Sequence, residues 1–335
     1  MPEPMLETID LVKSFSVRRG FFASRKARLM AVDRVSLTIE AGETLGLVGE
    51  SGCGKSTLGL TVMQLYEPTS GTVRFDGQNI VGLPPLQLNK VRSKIQMIYQ
   101  DPYASLDPRM NIEEILTEPM VIHNIGSRQE RLQEAQRLLD TVGLPGDALG
   151  RFPSEFSGGQ QQRIGIARAL MLQPRMLICD EPVSSLDVSV QAQILNLLRD
   201  LQTEFNLTYL FISHNIAVTR FMSRRIGVMY LGRLVEIGPS ASIVDSPLHP
   251  YTQALISAVP DPQPTESRRS RRLSGDVPSP IDRPTGCAFH PRCPLAQDIC
   301  VHTEPQLRRL ESHHLAACHF AKVTNATPQK AWDTA

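Results

Sequence analysis

Nine consecutive residues, Gly49-Glu50-Ser51-Gly52-Cys53-Gly54-Lys55-Ser56-Thr57, constrain this chain more than any other feature. They follow a compact aliphatic run, Thr44 to Val48, that reads as a buried strand, and they lead into a helical run from Thr57 to Tyr66. A strand, a glycine-rich loop and a helix form the setting in which the pattern G-x-x-x-x-G-K-S cradles phosphate. The small residues Gly49, Ser51, Gly52, Cys53 and Gly54 let backbone N–H groups converge on an anion at the positive end of the helix, where Thr57 begins. Lys55 supplies a point charge for the β- and γ-phosphates of a nucleotide, and Ser56 offers a hydroxyl to Mg²⁺.

The periodicity agrees with an α/β chain. Ile95 to Tyr99, Met176 to Cys179, Thr208 to Ile212 and Ile226 to Tyr230 read as further short buried strands. Helical patterns lie between them, as at Ser127 to Val142 and Val190 to Phe205, where Ile194, Leu197, Leu198 and Leu201 recur at helical spacing. Such alternation implies a parallel sheet covered on both faces. The first forty residues look antiparallel instead, with Val35, Leu37 and Ile39 alternating before the turn Glu40-Ala41-Gly42-Glu43. After Pro239 no strand pattern is evident. One short helix fits between His249 and Ala258, and Asp261 to Arg283 reads as an extended linker carrying Arg268, Arg269, Arg271 and Arg272.

Composition narrows the function. The 335 residues hold 35 Lys and Arg against 34 Asp and Glu, a formal net charge of +1, so no global field favours a polyanion and no nucleic-acid partner is expected. No run reaches the roughly eighteen apolar residues a membrane-spanning helix needs, and no signal-peptide pattern opens the chain. The expectation is a soluble protein made inside the cell.

Two further motifs join the loop. Met176-Leu177-Ile178-Cys179 ends in Asp180 and Glu181. At the carboxyl edge of a parallel sheet, Asp180 can reach Mg²⁺ and Glu181 can orient or deprotonate an attacking water. Standing alone, two such acids would read as a helix cap. Phe156-Ser157-Gly158-Gly159-Gln160 opens a helix whose Ile164, Ala167 and Leu170 share one face, with Ser157 as a natural N-cap. Here the sequence resembles the nucleotide-binding subunits of ABC transporters, whose signature is LSGGQ, with Phe156 in place of the Leu.

The resemblance implies a P-loop NTPase with the ABC-ATPase fold: a RecA-like core, an antiparallel β subdomain and a helical subdomain at about 101–170, together spanning 1–245. It implies ATP and Mg²⁺ as ligands. It also implies a head-to-tail dimer, in which ATP on one subunit's loop is capped by Ser157, Gly158, Gly159 and Gln160 of the other. Gln100 resembles the glutamine that senses Mg²⁺ and the γ-phosphate and links them to membrane subunits. Asp187, ending Ser184-Ser185-Leu186-Asp187, looks like the acid of the loop crossing the dimer interface. His214 resembles the switch histidine at the γ-phosphate, followed by Asn215 where the family commonly has Asp. Phe15 matches the aromatic that stacks on adenine, with a core Phe as the alternative.

A narrower resemblance covers nearly the whole chain. GESGCGKSTL, YQDPYASLDPR, DVSVQAQILNLL, HPYTQALISAVP and LSGDVPSP followed by GCAFHPRCP are similar to the ATPase subunits of dipeptide/oligopeptide importers. The match is to the second of the two, with an insertion at Val17 to Leu29. That implies ATP-driven peptide import, with Lys55, Gln100, Glu181 and His214 carrying the catalysis. The implied partners are a second ATPase subunit (a paralogue or a copy), two transmembrane permease subunits and a separate substrate-binding protein. The implied location is the cytoplasmic face of the inner membrane. A non-transport ABC ATPase acting in DNA repair or translation is the alternative, but the long coiled-coil insertion, zinc-hook cysteines or fused second cassette usual there are missing.

Cys287, Cys293, Cys300 and Cys318 share the last fifty residues at spacing C-x5-C-x6-C-x17-C. Four thiolates suit Zn²⁺ or an iron–sulfur cluster, with His290, His302, His313, His314 and His319 as substitute ligands and free thiols as the third reading. The peptide-importer resemblance implies a [4Fe–4S] cluster stapling a tail at 286–325, behind a helix and linker at 246–285 and before a disordered end at 326–335. Cys53, inside the phosphate loop, reads as a small filler whose alkylation would block ATP; Cys179 reads as inert within its strand.

Overall fold

The computed structural model describes residues 3–18, 26–258, 276, 278–311 and 313–321. The insertion at Val17 to Leu29 lies partly outside these residues; Arg268, Arg269, Arg271, Arg272 and the end 326–335 lie wholly outside them. Among the described residues the strands begin with β1 (Leu6–Arg18), β2 (Lys26–Ile39), β3 (Thr44–Val48), β4 (Ser70–Phe75), β5 (Gln78–Asn79) and β6 (Ile95–Ile98). They continue with β7 (Met176–Asp180), β8 (Thr208–Ser213), β9 (Arg225–Tyr230), β10 (Arg233–Pro239), β11 (Arg308–Glu311) and β12 (His314–Ala316). The chain forms two compact units. The first takes in Met1–Leu6, Ile39–Thr44 and Arg74–Ile212; the second takes in Glu7–Thr38, Leu45–Val73 and Ser213–Ala335.

In the first unit β6, β7 and β8 run parallel, with Ile98 opposite Cys179 and Asp180 opposite Ile212. Every residue of β7 and β8 is buried, as expected of strands covered on both faces. Between β6 and β7 the chain is helical, including Ile112–Ile122, Arg128–Thr141 and Gly158–Leu170. Each of these three begins with a reciprocal capping box: Asn111 with Glu114, Ser127 with Glu130, and Ser157 with Gln160. The polar letters that open each helix in the sequence are thus the groups that satisfy its first free N–H donors.

In the second unit β3 and β9 are parallel, Leu47 opposite Gly227. Its antiparallel part carries the predicted alternation in β2: Val35, Leu37 and Ile39 are buried, Arg34 and Ser36 exposed. The Thr8 hydroxyl on β1 donates to the Val35 carbonyl at 3.0 Å.

The C-terminal region departs from expectation. Strands do follow Pro239: β12 pairs antiparallel with β10 through Ile237 and Leu315, and β11 pairs antiparallel with β12. The cause is a buried polar joint. Glu236 of β10 is fully buried and accepts hydrogen bonds from the backbone N–H groups of Leu248 (2.7 Å) and His249 (3.0 Å), while His314 Nε2 lies 2.7 Å from its Oε1. A carboxylate that gathers three partners from distant parts of the chain fixes the register of segments too short and polar to form strands alone.

His249 makes this region acid-sensitive. Burial, opposed by the Glu236 charge and a hydrogen bond with the Ala317 backbone, lowers its pKa to about 4. Its Nδ1 accepts the Tyr251 N–H at 3.0 Å, so the folded state holds the ring neutral. Unfolding releases an imidazole that protonates near pH 6.5, so this stability is present above about pH 6.5 and is lost as pH falls towards about 4. The full effect is about 3 kcal/mol. Thermal melting between pH 7 and 4.5 should show the loss. His249→Asn keeps an N-cap acceptor without the titration and is expected to flatten the profile; an equally steep profile would remove His249 as its source.

Candidate functional site

In the second unit β3 delivers the loop at residues 49–54 into the helix Lys55–Val62. Gly54 is the N-cap with φ +106°, and a Cβ there would stand 2.0 Å from the Ala31 carbonyl oxygen, so only glycine fits. Ser51 and Gly52 face solvent, and Gly49, Ser56 and Thr57 flank the buried Lys55. The Lys55 side chain is 5% exposed, and its Nζ donates to the carbonyl oxygens of Gly49 (2.7 Å) and Glu50 (3.1 Å). These bonds offset the cost of burying the ammonium.

Cys53 Sγ lies 3.7 Å from that amine and is buried. Burial pushes its thiol up in spite of Lys55, so little thiolate is present for alkylation at neutral pH. Phe15 packs edge-on against Tyr66 with centroids 5.3 Å apart, and Lys13 Nζ lies 5.0 Å from its ring centre. His214 is exposed just beyond β8. Asn215 caps the helix Ile216–Met222 by accepting from the N–H groups of Ala217 (2.9 Å) and Val218 (3.3 Å), so the amide performs the local bonding a carboxylate would.

The first unit assembles a second group. Asp180 ends β7 and is 8% exposed. Glu181 follows with φ +48°, a left-handed conformation costly for a side chain of its kind. Its N–H donates to the Ile212 carbonyl at 2.9 Å, which anchors that turn. Gln100 Nε2 donates to Glu181 Oε2 at 3.1 Å, bringing together two residues 81 positions apart. Ser157 caps the helix Gly158–Leu170, with Gln160 Oε1 accepting the Ser157 N–H at 2.9 Å. Gly159 is sterically required: a Cβ would meet Val190 Cγ1 at 2.5 Å. Phe156 is buried with the Arg151 guanidinium 4.4 Å from its ring centre. Asp187 is exposed and precedes the helix Val188–Phe205 without a side-chain cap.

The structure lends no support to the expected metal site at Cys287, Cys293, Cys300 and Cys318. Among the described residues no group of three or more His, Cys, Asp or Glu could hold a metal ion. Cys287 and Cys293 pack against the apolar cluster of Tyr230, Tyr251 and Phe289, while Cys318 packs with Leu248, Ala316 and Ala321. Burial pushes the Cys287 thiol up to about 11 and raises Cys293 and Cys318 as well, and the other cysteines of the set add to the rise at each. Of the substitute ligands, His314 is committed to Glu236, His290 Nδ1 lies 2.9 Å from the Cys287 carbonyl, and His319 Nε2 lies 2.9 Å from the Thr303 carbonyl. Two apolar clusters lend this region cohesion. The structure also pairs Glu50 with Arg292, which no sequence signal marks: the arginine sits between the cysteines of GCAFHPRCP.

Comparison with known proteins gives the family. Residues 32–184 match the ABC transporter family model, and residues 235–300 match that of the oligopeptide/dipeptide transporter C-terminal region. The chain is 51% identical over 321 residues to the oligopeptide transport ATP-binding protein AppF of Bacillus subtilis, covering 95% of this chain and 98% of that one. It is 49% identical over 315 residues to a putative peptide import ATP-binding protein of Brucella ovis, covering 94% and 97%. Among solved structures it resembles the dimeric ATP-binding cassette MJ0796 in a post-hydrolysis state bound to ADP and Pi. That match has a TM-score of 0.63 at 30% identity, over 70% of this chain and 99% of that one. Phosphate loop, signature helix and C-terminal region thus lie in one chain of matching length, and the protein belongs to the ATP-binding subunits of the oligopeptide/dipeptide ABC transporter family.

Proposed function

We propose that this chain is the ATPase that powers peptide import, working peripherally at the cytoplasmic face of the inner membrane with permease subunits and a substrate-binding protein. The observation that carries this reading is the 51% identity over almost the full length of an oligopeptide transport ATP-binding protein. The matched C-terminal region sets aside the alternative in DNA repair or translation. Among the described residues no helix is long and apolar enough to cross a membrane, which fits a pore built by other chains. Tyr103, Val121 and Ile122 leave 62%, 49% and 66% of their surface to solvent in the helical stretch after β6, apolar surface available to a membrane partner.

In this reading the N–H groups of Gly49, Ser51, Gly52, Cys53 and Gly54, with Lys55 and Thr57, bind the triphosphate, and Phe15 stacks on adenine. Mg²⁺ would neutralise phosphate charge, and Ser56, Gln100 and Asp180 are its proposed ligands. Glu181 takes the proton of the attacking water, Gln100 orients that carboxylate, and His214 contacts the γ-phosphate. Ser157, Gly158, Gly159, Gln160 and Asp187 serve the facing subunit of a dimer, with a paralogous ATPase as partner.

Isolation of the tagged chain from detergent-solubilised membranes tests this. Membrane-spanning chains are expected to accompany it, and ATPase activity of the reconstituted complex is expected to rise several-fold with a peptide-loaded binding protein. Recovery with nucleic acid and no membrane chains would overturn it.

A further inference from the structure

Glu50 is the second residue of the phosphate loop, and all of its polar groups are engaged. Its N–H donates to Tyr251 Oη at 2.9 Å, and its carbonyl oxygen accepts from Lys55 Nζ at 3.1 Å and from the Cys53 N–H at 3.2 Å. Its carboxylate accepts two parallel bonds from Arg292, Nη1 to Oε2 at 2.8 Å and Nη2 to Oε1 at 3.0 Å. Both Tyr251 and Arg292 belong to the segment that matches the transporter C-terminal region.

Arg292 is itself rigidly placed. Its side chain is 5% exposed, Nη1 lies 3.4 Å from Tyr230 Oη, and the guanidinium lies 5.9 Å from that ring's centre. It follows the fully buried Phe289 by one short turn, and Phe289, Tyr230 and Tyr251 pack with centroids 4.7 to 5.4 Å apart. A two-pronged guanidinium–carboxylate pair fixes orientation as well as distance. Net cohesion does not explain such a pair, because a buried ion pair contributes little to stability over an apolar one.

Electrostatics explains it better. A loop built to take a triphosphate carries, one residue after its first glycine, a carboxylate that would repel that triphosphate. Arg292 cancels that charge and fixes the residue whose carbonyl holds the Lys55 amine. We propose that Arg292 is a positioning residue for the ATPase, through which the C-terminal region neutralises Glu50 and holds the phosphate loop ready for nucleotide. The proposal rests on the assignment of Gly49–Thr57 as the ATP site.

The test is ATP hydrolysis by the full chain in its complex, with KM and kcat measured separately. Arg292→Met uncovers the Glu50 charge and is expected to raise KM for ATP about tenfold with kcat changed less than twofold. Adding Glu50→Gln removes the repulsion and should bring KM back to within about threefold of the parent. Glu50→Gln alone leaves the arginine charge beside the loop, so its KM should lie at or below the parent value; it also serves if Arg292→Met does not fold. Arg292→Lys keeps the charge without the fork and should fall between parent and Arg292→Met. A role in packing alone would lower the active fraction and leave KM in place, and the double variant would be no better than the single one. Unchanged KM in Arg292→Met, or a raised KM in Glu50→Gln, would overturn the proposal. Absence of ATPase in the parent complex would instead overturn the assignment of the site.

Discussion

Glu181→Gln is expected to slow ATP hydrolysis by about 10²-fold or more while ATP still binds. The structure separates the two effects. Glu181 is held by its backbone: φ +48° turns it out of β7, and its N–H is bonded to the Ile212 carbonyl at 2.9 Å. A left-handed residue of this kind costs about 1–3 kcal/mol, and the surrounding strands maintain it where the side chain has a task. Glutamine adopts the same conformation at the same cost and still offers an oxygen to Gln100 Nε2, now 3.1 Å from the carboxylate. What it loses is a group that can take the proton of water. The variant should therefore accumulate with ATP bound, and in the proposed mechanism as a closed dimer. Single-turnover phosphate release and size-exclusion chromatography with ATP measure the two. Hydrolysis at the parent rate would remove Glu181 as the base.

What could be read from the sequence follows from which interactions are local. The phosphate loop declares itself because its strand, glycines and helix are contiguous: Thr44 to Val48 is β3 residue for residue. Ser127 and Ser157 declare helix starts because each capping box closes within four residues. The Gln100–Glu181 bond was not legible, since no local pattern joins residues 81 apart and the family resemblance gave Gln100 a role but not this partner. The C-terminal region was misread for a physical reason. In β10 a glutamate stands at a fully buried position, so the apolar pattern breaks where the strand is most enclosed. Strands β11 and β12 are four and three residues long and exist because β10 and the Glu236–His314 contact hold them. The spacing of the cysteines suggested a metal, but spacing does not show which apolar cluster each one joins. Phe289 and Tyr251, lying between and before them, form the core that the proline-rich composition concealed.

Lys55→Ala is expected to weaken ATP binding by about two orders of magnitude, the scale of about 3 kcal/mol for truncating a buried, hydrogen-bonded charge partner. The fold itself should change little. Removing Lys55 takes a donor from the Gly49 and Glu50 carbonyls, which costs about 1–3 kcal/mol for a group left without a partner where water does not reach it. It also removes a buried ammonium whose desolvation is offset by those two carbonyls and by the neutral Cys53 thiol 3.7 Å away. The two terms oppose, and the Glu50 carbonyl keeps the Cys53 N–H at 3.2 Å, so the turn stays closed. The signature is a split: melting temperature without nucleotide stays within a few degrees of the parent, while the upward shift on adding Mg·ATP disappears. Lys55→Arg keeps the charge, but its larger planar head does not fit between two carbonyls 2.7 and 3.1 Å from the amine, so it should not restore the shift. A full ATP-induced shift in Lys55→Ala would mean that the nucleotide is held elsewhere, and Glu181, Gln100 and the signature helix would lose the reaction they are assigned to serve.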